Sequence, residues 1–353
     1  MRAVGDASAD LPASSQLSDE AFAEACFRHL IGRDGDAVGR ARVVARLRAG
    51  ASRRDVIAEL VAGEEFLARA EREIGAPVAD AWPAGHFHSP RPDLELVANA
   101  YAKVVRAERD TVPGIDMRPA AQRAWLDRFA ALQAEVPFKE EPGGPCRYHA
   151  HNPMFPGGDA LVLWSLMRCL RPKRVVEVGS GYSSAVMLDT NELHLAHSVS
   201  FTFVEPYPDR LRSLLRGDDA ARCRILEAPV QDVPLAPFEE LEANDILFVD
   251  SSHVSKFGSD VNYLLFEVLP LLQRGVVVHF HDVFWPFDYT KEWLMAGRGW
   301  NEAYALRAFL IENRAFSVLL FVDWLRRFER AHIARTVPLL ADHAGGSVWI
   351  VRE

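Results

Sequence analysis

Acidic and histidine side chains follow two apolar runs of the sequence. The segment ILFVDSSH places Asp250 and His253 after the first run, and GVVVHFHD places His281 and Asp282 at the end of the second. If both runs are parallel strands of one sheet, their carboxyl ends meet at the same edge. Ionisable groups at buried strand ends are costly to desolvate unless they are paired, so this arrangement indicates a functional site.

Two kinds of chemistry suit these four side chains. His253 or His281 can act as a general base that takes a proton from a substrate hydroxyl, with Asp250 beside it. Alternatively, Asp250, His281 and Asp282 can hold a divalent cation such as Mg²⁺ or Mn²⁺, although the mixed oxygen and nitrogen set suits Mg²⁺ poorly. A third interpretation is a hydrogen-bonded network that only fixes the loops. His279, two residues before His281, is predicted to be a core histidine.

The second region that can do chemistry is the run RVVEVGSGYSS, residues 174–184. A short β-branched stretch leads into a glycine turn and then into a stretch that can begin a helix. Gly179 and Gly181 lack a Cβ, so the backbone can take a positive φ and a ligand can approach it closely. Ser184 stands where a dinucleotide fingerprint has its third glycine, and Glu177 puts an acid before the turn. The pattern therefore favours a ligand with a cationic end, such as S-adenosylmethionine, over a dinucleotide.

Glu205 is the candidate for binding a ribose. The segment FTFVEPYP places it at the end of the next predicted strand, 26 positions after Gly179. That separation fits one strand-helix-strand unit, and an acid at this point can accept hydrogen bonds from both hydroxyls of a ribose.

These residues need a sheet to bring them together. From about residue 137, predicted strands and helices alternate, which is typical of a mostly parallel sheet with right-handed crossovers. The last two strands are predicted to form an antiparallel pair. The predicted strands are 174–178, 200–205, 222–226, 245–250, 275–281, 315–322 and 347–352.

Aromatic and polar segments are predicted to flank the site. The aromatic loop at 284–289 can form a wall of a substrate pocket, because flat rings stack on sugar faces. The segment at 148–155 can form a lid or a structural loop. Asp159 is predicted to be the N-cap of the next helix, and Asn301 or Glu302 can point into the site.

Composition and charge narrow the class of protein. The chain has 353 residues, 49% of them hydrophobic and 25% charged, so it is long enough for a substantial core. A net charge of −9 argues against a nucleic-acid partner. No apolar run approaches the ~20 residues of a membrane span, and the first residues carry no apolar signal sequence. The four cysteines show no CxxC spacing, so we predict reduced thiols in a cytoplasmic protein.

The chain before the sheet is predicted to be helical. Residues 17–67 resemble a small bacterial helical domain of unknown function, through the pattern GR..D..G and the later run Gly-Glu-Glu-Phe. That resemblance implies a contact with a protein partner and transfers no active site. The predicted divisions are a disordered tail at 1–16, a small helical module at 17–74, a linker at 75–92, packing helices at 93–136 and the main domain at 137–353.

Residues 145–320 resemble a class I S-adenosylmethionine-dependent methyltransferase. More narrowly, they resemble a bacterial branch marked by E-V-G-S-G-[YF]-S, V-E-P-Y-P, V-D-S-S-H, H-x-H-D and W-N-E-x-Y, and all five motifs occur here in that order. The resemblance implies an α/β fold with a Rossmann-like sheet of seven strands and an antiparallel final strand, beside the N-terminal all-α module. It also implies a cofactor site, to which we assign Glu177, Gly179, Ser180, Gly181, Glu205 and Asp250.

Related methyltransferases that act on macrolide and aminocoumarin sugars bind Mg²⁺ through an acid after strand four and an acidic pair after strand five. Asp250 and Asp282 match two of these three positions, whereas His281 departs from the pattern. Metal binding by Asp250, His281 and Asp282 is therefore one prediction, and proton transfer by His253 or His281 is the other.

The predicted function is O-methylation of a sugar or another small hydroxylated acceptor, with S-adenosylmethionine as the methyl donor. The predicted catalytic residues are Asp250, His253 and His281. The alternative is a scaffold protein that binds the cofactor without turnover and recruits a protein partner through its helical module.

Overall fold

The computed structural model describes residues 17–31, 34–61, 63, 66 and 82–353. The predicted tail at 1–16 and residues 75–81 of the predicted linker lie outside the described residues. The chain divides into two compact units, and the boundary between Ser89 and Pro90 falls inside the segment predicted as a linker.

In its described part, the N-terminal unit consists of helices around a small apolar core. Two of the helices begin where a short side chain accepts a backbone N–H, Ser18 from Ala21 at 3.1 Å and Asp36 from Gly39 at 2.6 Å. The α-helices are Asp19–Cys26, which continues as a π-turn, Ala37–Arg48 and Arg53–Val61. The buried core residues are Phe22, Ala23, Cys26, Phe27, Ile31, Val43, Val44 and Val56.

Two helices precede the sheet in the second unit, Leu94–Val105 and Pro119–Ala130. The first begins at Asp93, whose carboxylate accepts the N–H groups of the next turn. It ends at Arg106, which takes a left-handed conformation with φ of +55°. The apolar spacing predicts a helix over about 93–109, and the observed helix ends earlier because periodicity does not reveal a left-handed cap.

The sheet has seven strands in the order β3-β2-β1-β4-β5-β7-β6. Neighbours among β1 to β5 run parallel, and β7 runs antiparallel to both β5 and β6. The predicted seven-stranded Rossmann-like fold is therefore confirmed. The strands are β1 Arg174–Val178, β2 Ser200–Val204, β3 Cys223–Leu226, β4 Ile246–Val249, β5 Val277–His281, β6 Phe316–Phe321 and β7 Ser347–Arg352.

Helices connect and cover the strands. The apolar spacing predicts one continuous helix over 259–273, but this segment forms an α-turn, a π-turn and a 3₁₀-turn, and Pro270 in the last of these lacks the N–H that a continuous helix needs. The α-helices are Gly157–Leu170, Tyr182–His194, Asp209–Leu214, Asp219–Arg222, Ala236–Glu239, Asp260–Tyr263, Lys291–Met295, Glu302–Leu310, Val322–Phe328, Arg330–Thr336 and Pro338–Asp342. Among the described residues, none of these helices has the length and apolar character needed to cross a bilayer.

The strand order reverses between β1 and β4, and this point fixes the site. The two strands are apolar apart from Arg174 at the start of β1 and Glu177 near its end, and Val178 lies opposite Val249 in the register. The turns after the two strands therefore emerge side by side at the carboxyl edge, where open α/β sheets bind ligands.

Candidate active site

A cavity of about 650 Å³ opens at the carboxyl ends of β1, β4 and β5. A second cavity of about 380 Å³ shares part of its wall, including Gly179, Glu205 and Asp250. The predicted site residues that line the first cavity are Gly179, Ser180, Gly181, Glu205, Asp250, His253, His281 and Asp282.

The glycine turn after β1 presses against the loop after β4. Gly179 has φ of +83°, and its N–H donates to the carbonyl oxygen of Val204 at 3.0 Å. A Cβ at this position would lie 1.7 Å from the carbonyl oxygen of Asp250, so only glycine fits. At Gly181 a Cβ would lie 3.2 Å from the side chain of Arg210, which packs on this turn.

Glu177 supports the glycine turn from inside the protein and does not line either cavity. Its carboxyl accepts hydrogen bonds from the hydroxyls of Ser183, at 2.6 Å, and Ser184. The Ser184 hydroxyl in turn accepts the N–H of Gly181 at 3.0 Å. Burial raises the pKa of Glu177 to about 8, although the serine hydroxyls oppose this rise.

Glu205 stands between the two cavities, as the strand-end position predicts. Its two carboxylate oxygens accept the N–H of Ser180 at 2.9 Å and the N–H of Tyr207 at 2.8 Å. The side chain is partly exposed, so further lone pairs face the cavities. This placement suits the binding of ribose hydroxyls.

The acidic and histidine side chains at the ends of β4 and β5 form one cluster around His253. Nε2 of His253 lies 3.5 Å from Oδ1 of Asp250 and 3.7 Å from Oδ2 of Asp282. Nε2 of His281 lies 3.6 Å from Oδ1 of Asp282. We call these four residues the Asp/His cluster. Both His253 and Asp282 take positive φ, which is uncommon for residues other than glycine.

Neighbouring charges, more than burial, set the pKa values of most residues in the Asp/His cluster. Burial alone would lower the pKa of His253, but Asp250 and Glu302 outweigh it and raise the pKa to about 10. Burial opposes the ionisation of Asp250, yet the two histidines lower its pKa below the usual value. The pKa of His281 is raised against the effect of burial, because carboxylates surround it. Burial raises the pKa of Asp282, and the histidines offset only part of that rise.

The W-N-E segment holds His253 in place, a role that sequence reasoning missed. Nδ1 of His253 is 2.9 Å from a carboxylate oxygen of Glu302, and its ring lies 4.4 Å from the ring of Trp300. The backbone N–H groups of Asn301 and Glu302 both donate to the carbonyl oxygen of His253. The Asn301 side chain accepts the N–H of Ser255, so it fixes the loop after β4 and does not cap its own helix. The sequence signals were the W-N-E-x-Y motif and an acid at the start of an amphipathic helix, and neither one identifies His253 as the partner.

Asp159 also differs from its prediction. The N-cap of its helix is Pro156, and Asp159 lies inside the first turn, fully buried. It accepts the N–H of Gly346 at 2.9 Å and the hydroxyl of Ser347 at 2.6 Å. The carboxyl therefore ties the helix to the start of β7 and brings a further acid to the cavity wall. Sequence spacing could not show this contact, because the partners are nearly 190 residues apart.

His279 lies in the core, as predicted. Its ring stacks on Phe248 with centroids 3.8 Å apart, and burial lowers its pKa well below the usual value. Neither ring nitrogen has a hydrogen-bond partner among the residues that the structure describes. His279 therefore stays neutral and takes no part in the Asp/His cluster.

Aromatic side chains form one wall of the cavity, but they are only in part the ones that the sequence suggested. Phe284 lines the cavity, whereas most of the aromatic loop that follows it is buried elsewhere. Trp293 and Trp300 complete the wall, with T-shaped contacts of 5.2 Å between Phe284 and Trp293 and between Trp293 and Trp300. The buried members of the loop are Trp285, Phe287 and Tyr289.

The segment at 148–155 forms part of the rim of the cavity, but its aromatic residues do not form a lid over it. Asn152 and Met154 line the cavity, while Tyr148 and Phe155 are buried in the core. His151 is exposed, and its Nδ1 lies 2.6 Å from a carboxylate oxygen of Glu141.

In the part of the chain that the structure describes, no three His, Cys, Asp or Glu side chains are arranged to hold a metal ion. In the Asp/His cluster, the ring of His253 stands between the two carboxylates that were predicted as ligands. The side chains as they lie do not fit a cation, and metal ligation by Asp250, His281 and Asp282 stays a prediction.

Comparison with known proteins adds the family. Residues 176–283, which contain the glycine turn and the Asp/His cluster, match the methyltransferase-domain family. An uncharacterized protein of Archaeoglobus fulgidus is 35% identical over 181 residues, which are 50% of this chain and 79% of that protein.

Solved structures of methyltransferases resemble the chain more distantly. The Podospora anserina methyltransferase PaMTH1, with bound S-adenosylhomocysteine, has 16% identity and a TM-score of 0.36, and the match covers 75% of this chain and 99% of that one. A Bacillus cereus O-methyltransferase in complex with S-adenosylhomocysteine has 16% identity and a TM-score of 0.35 over 74% and 100% of the two chains. The chain belongs to the same family as the archaeal protein. It carries a methyltransferase domain on a seven-stranded Rossmann-like sheet, and it is an S-adenosylmethionine-dependent methyltransferase.

Proposed function

We propose that this methyltransferase acts on oxygen, and that its acceptor is a sugar or another small hydroxylated compound. The observation that carries the proposal is that one cavity is lined by both the glycine turn and the Asp/His cluster. Methyl transfer is accelerated chiefly by holding donor and acceptor at reactive distance. A cofactor against the turn and a hydroxyl against the cluster would meet in this cavity.

The residues around the turn fit the cofactor. Gly179, Ser180 and Gly181 line the cavity, and Glu205 offers carboxylate oxygens to ribose hydroxyls. Arg210 lines the cavity beside the turn and forms no salt bridge with any described residue, so we assign it to the carboxylate of the methionine portion. When bound, S-adenosylmethionine supplies an electrophilic methyl group.

The Asp/His cluster would align and deprotonate the acceptor hydroxyl. Asp250, which the histidines keep ionised, would stabilise the positive charge that His281 gains with the proton. The hydroxyl would donate its hydrogen bond to Nε2 of His281, which takes the proton as the oxygen bonds to the methyl carbon and the bond from that carbon to sulfur breaks. His253 holds its own proton up to a pKa of about 10, so we assign it to stabilising the carboxylates instead of accepting the proton.

The aromatic wall supports a sugar as the acceptor. Phe284, Trp293 and Trp300 offer ring faces or edges to the cavity, and flat rings of this kind pack against the apolar face of a pyranose. The cavity volume of about 650 Å³ suits a cofactor portion together with a small acceptor.

The test is methyl transfer from isotopically labelled S-adenosylmethionine to a panel of sugars, sugar acids and sugar phosphates, with the product identified by mass spectrometry. Calorimetry with S-adenosylhomocysteine measures cofactor binding separately. Product methylated on oxygen supports the proposal, and methylation only on nitrogen or carbon contradicts it. Tight cofactor binding without product, even with cell extract, favours the scaffold alternative, in which the N-terminal helical unit recruits a protein partner.

The same assay distinguishes a mechanism in which His281 acts as a general base from one that depends on a bound metal ion. Retention of full turnover in His281→Ala would remove His281 from the mechanism. Loss of turnover in EDTA, restored by Mg²⁺ or Mn²⁺, would instead support ligation of a cation by Asp250, His281 and Asp282.

A further inference from the structure

Arg298 lies in the cavity wall between two indole rings. Its guanidinium carbon is 4.2 Å from the ring centre of Trp293 and 4.5 Å from that of Trp300. Both rings line the cavity together with Arg298 itself. Such cation–π contacts hold a guanidinium in place and cost little desolvation, because the charge stays open to solvent.

The hydrogen-bonding edge of Arg298 is left without a partner. The aromatic contacts use ring faces, and within the described part of the chain its side chain forms no salt bridge and donates no hydrogen bond. A guanidinium offers five N–H donors in a planar fork, which matches the paired oxygens of a carboxylate or a phosphate. A fork that is already positioned and unpaired is suited to binding an anion from the cavity.

Trp300 relates Arg298 to the Asp/His cluster. The same indole that contacts the guanidinium has its ring centre 4.4 Å from that of His253. Arg298 and His253 therefore both contact one ring, each within 4.5 Å of its centre. Because they share this ring, one small acceptor can reach both.

The charges around the cavity favour an anion at Arg298 and nowhere else on the acceptor side. Asp250 and Asp282 would repel an anionic group at the Asp/His cluster, whereas a neutral hydroxyl is attracted there. The other unpaired arginine in the wall, Arg210, packs against the glycine turn and is occupied once the cofactor binds.

We propose that the acceptor carries a carboxylate or a phosphate, that Arg298 binds this group, and that a hydroxyl of the same molecule then faces the Asp/His cluster. The substrate class is a small hydroxylated anion such as a sugar acid or a sugar phosphate. This inference rests on the proposed function and narrows its acceptor.

The experiment measures binding to the full-length protein saturated with S-adenosylhomocysteine. The probes are D-glucuronate, D-glucose 6-phosphate and D-glucose, which share a ring and differ in charge. Calorimetry gives the affinities, and indole fluorescence reports on Arg298 through Trp293 and Trp300. We expect one anionic probe to bind about tenfold to a hundredfold more tightly than glucose, with the preference reduced by added salt. The better of the two anions identifies the group as a carboxylate or a phosphate.

Substitutions assign the preference to one side chain. Arg298→Gln should lower the affinity for the preferred anion to that of glucose and leave the affinities for glucose and S-adenosylhomocysteine unchanged. Arg298→Lys should retain part of the preference, because the charge remains and the fork is lost. Arg314→Gln is the matched control, since Arg314 is exposed and lines a different cavity, and it should behave as wild type.

The inference is overturned if neither anion binds more tightly than glucose, or if the preference persists in Arg298→Gln. Circular dichroism and the melting temperature confirm that the variants are folded. The proposed function fails by a different result, namely no binding of S-adenosylhomocysteine or no methylation of any hydroxyl, so the two outcomes are distinguishable.

Discussion

The donor half and the acceptor half of the cavity are built in different ways. On the donor side, Glu177 and Glu205 already accept hydrogen bonds of 2.6 to 2.9 Å from nearby serines and backbone amides, and Glu205 keeps further lone pairs toward the cavities. On the acceptor side, His253 faces the carboxylates of Asp250 and Asp282 at 3.5 and 3.7 Å, beyond good hydrogen-bond distance. Hydrogen bonds within the protein therefore already fix the shape of the donor half, whereas hydrogen-bonding groups of the acceptor half remain available to a ligand.

This contrast separates two kinds of residue effect. Changes on the donor side should act through the shape and stability of the turn, and so through cofactor affinity. Changes on the acceptor side should act through the charge and direction of a few side chains, and so through turnover at unchanged cofactor affinity.

The largest effect is expected for Gly179→Ala on the donor side. The new Cβ would overlap the carbonyl oxygen of Asp250, and the backbone would have to keep φ of +83°. We expect the free energy of unfolding to fall by about 3 kcal/mol or more, and cofactor affinity to fall more than about a hundredfold. Chemical denaturation and calorimetry measure the two quantities.

Gly217→Ala is the matched control for Gly179→Ala. Gly217 also has a positive φ, of +51°, but a Cβ there would meet no atom within 4 Å. It should lose only about 1 kcal/mol, the cost of the left-handed conformation, with cofactor binding intact. Equal losses in the two variants would show that steric contact between the two loops does not shape the turn.

The next effect is on the acceptor side, in His281→Gln. Loss of the imidazole removes the proposed proton acceptor, so kcat should fall about a hundredfold or more while cofactor affinity is unchanged. His279→Leu, two residues earlier on the same strand, should keep most of the turnover, because His279 is buried in the core and reaches the Asp/His cluster only through the ring of His281, with ring centres 5.5 Å apart. If His279→Leu loses as much turnover as His281→Gln at equal stability, the assignment of the base is wrong.

The pH dependence of stability gives a smaller effect, on the donor side. The folded-state pKa of Glu177 is about 8, above its usual value of 4.5. Between these two values the unfolded chain has released the proton and the folded chain retains it, so stability falls as the pH rises and stays lower above pH 8. At pH 7 this difference corresponds to about 3 kcal/mol.

Glu177→Gln tests that dependence, because an amide does not titrate. Unfolding free energies of the two proteins, measured from pH 4.5 to 8, should diverge in favour of the variant as the pH rises. Parallel curves would mean that Glu177 is ionised in the folded protein and that the serine hydroxyls compensate for its burial.

The sequence predicts the strands and the residues at their ends well, but it does not predict contacts between segments that are far apart in the chain. The seven strands lie within two residues of their predicted bounds, since buried parallel strands are short apolar runs between turns. The turn at Gly179 and the acid at Glu205 were predictable because each lies at a strand end, where chain position alone fixes the place. The acids that join distant segments were not. Asp159 binds the start of β7, and Glu302 binds His253, through contacts that no local spacing records.

The aromatic wall shows the same limit in apolar residues. Alternation and composition marked the loop after β5 as aromatic, but they did not show which rings face the cavity. Trp285 and Phe287 pack into the core, whereas Trp293 and Trp300, from later segments, are half-buried and line the cavity. The packing of the whole unit decides which rings face the cavity, and this packing cannot be read from the order of residues alone.

The smallest effect is expected for Glu205→Gln. This variant tests whether Glu205 contacts the ligand directly in addition to holding the turn on the donor side. Glutamine has one acceptor oxygen in place of two, so it cannot keep both amide hydrogen bonds and also serve a ribose. We expect about a tenfold loss of affinity for methylthioadenosine. Its 2′-deoxy analogue should bind wild type and variant more nearly alike, because the contact with that hydroxyl is already absent. Glu227→Gln, an exposed acid paired with Arg212, is the control. An equal loss for both ligands would mean that Glu205 only holds the turn through Ser180 and Tyr207, and that the ribose is bound by other groups.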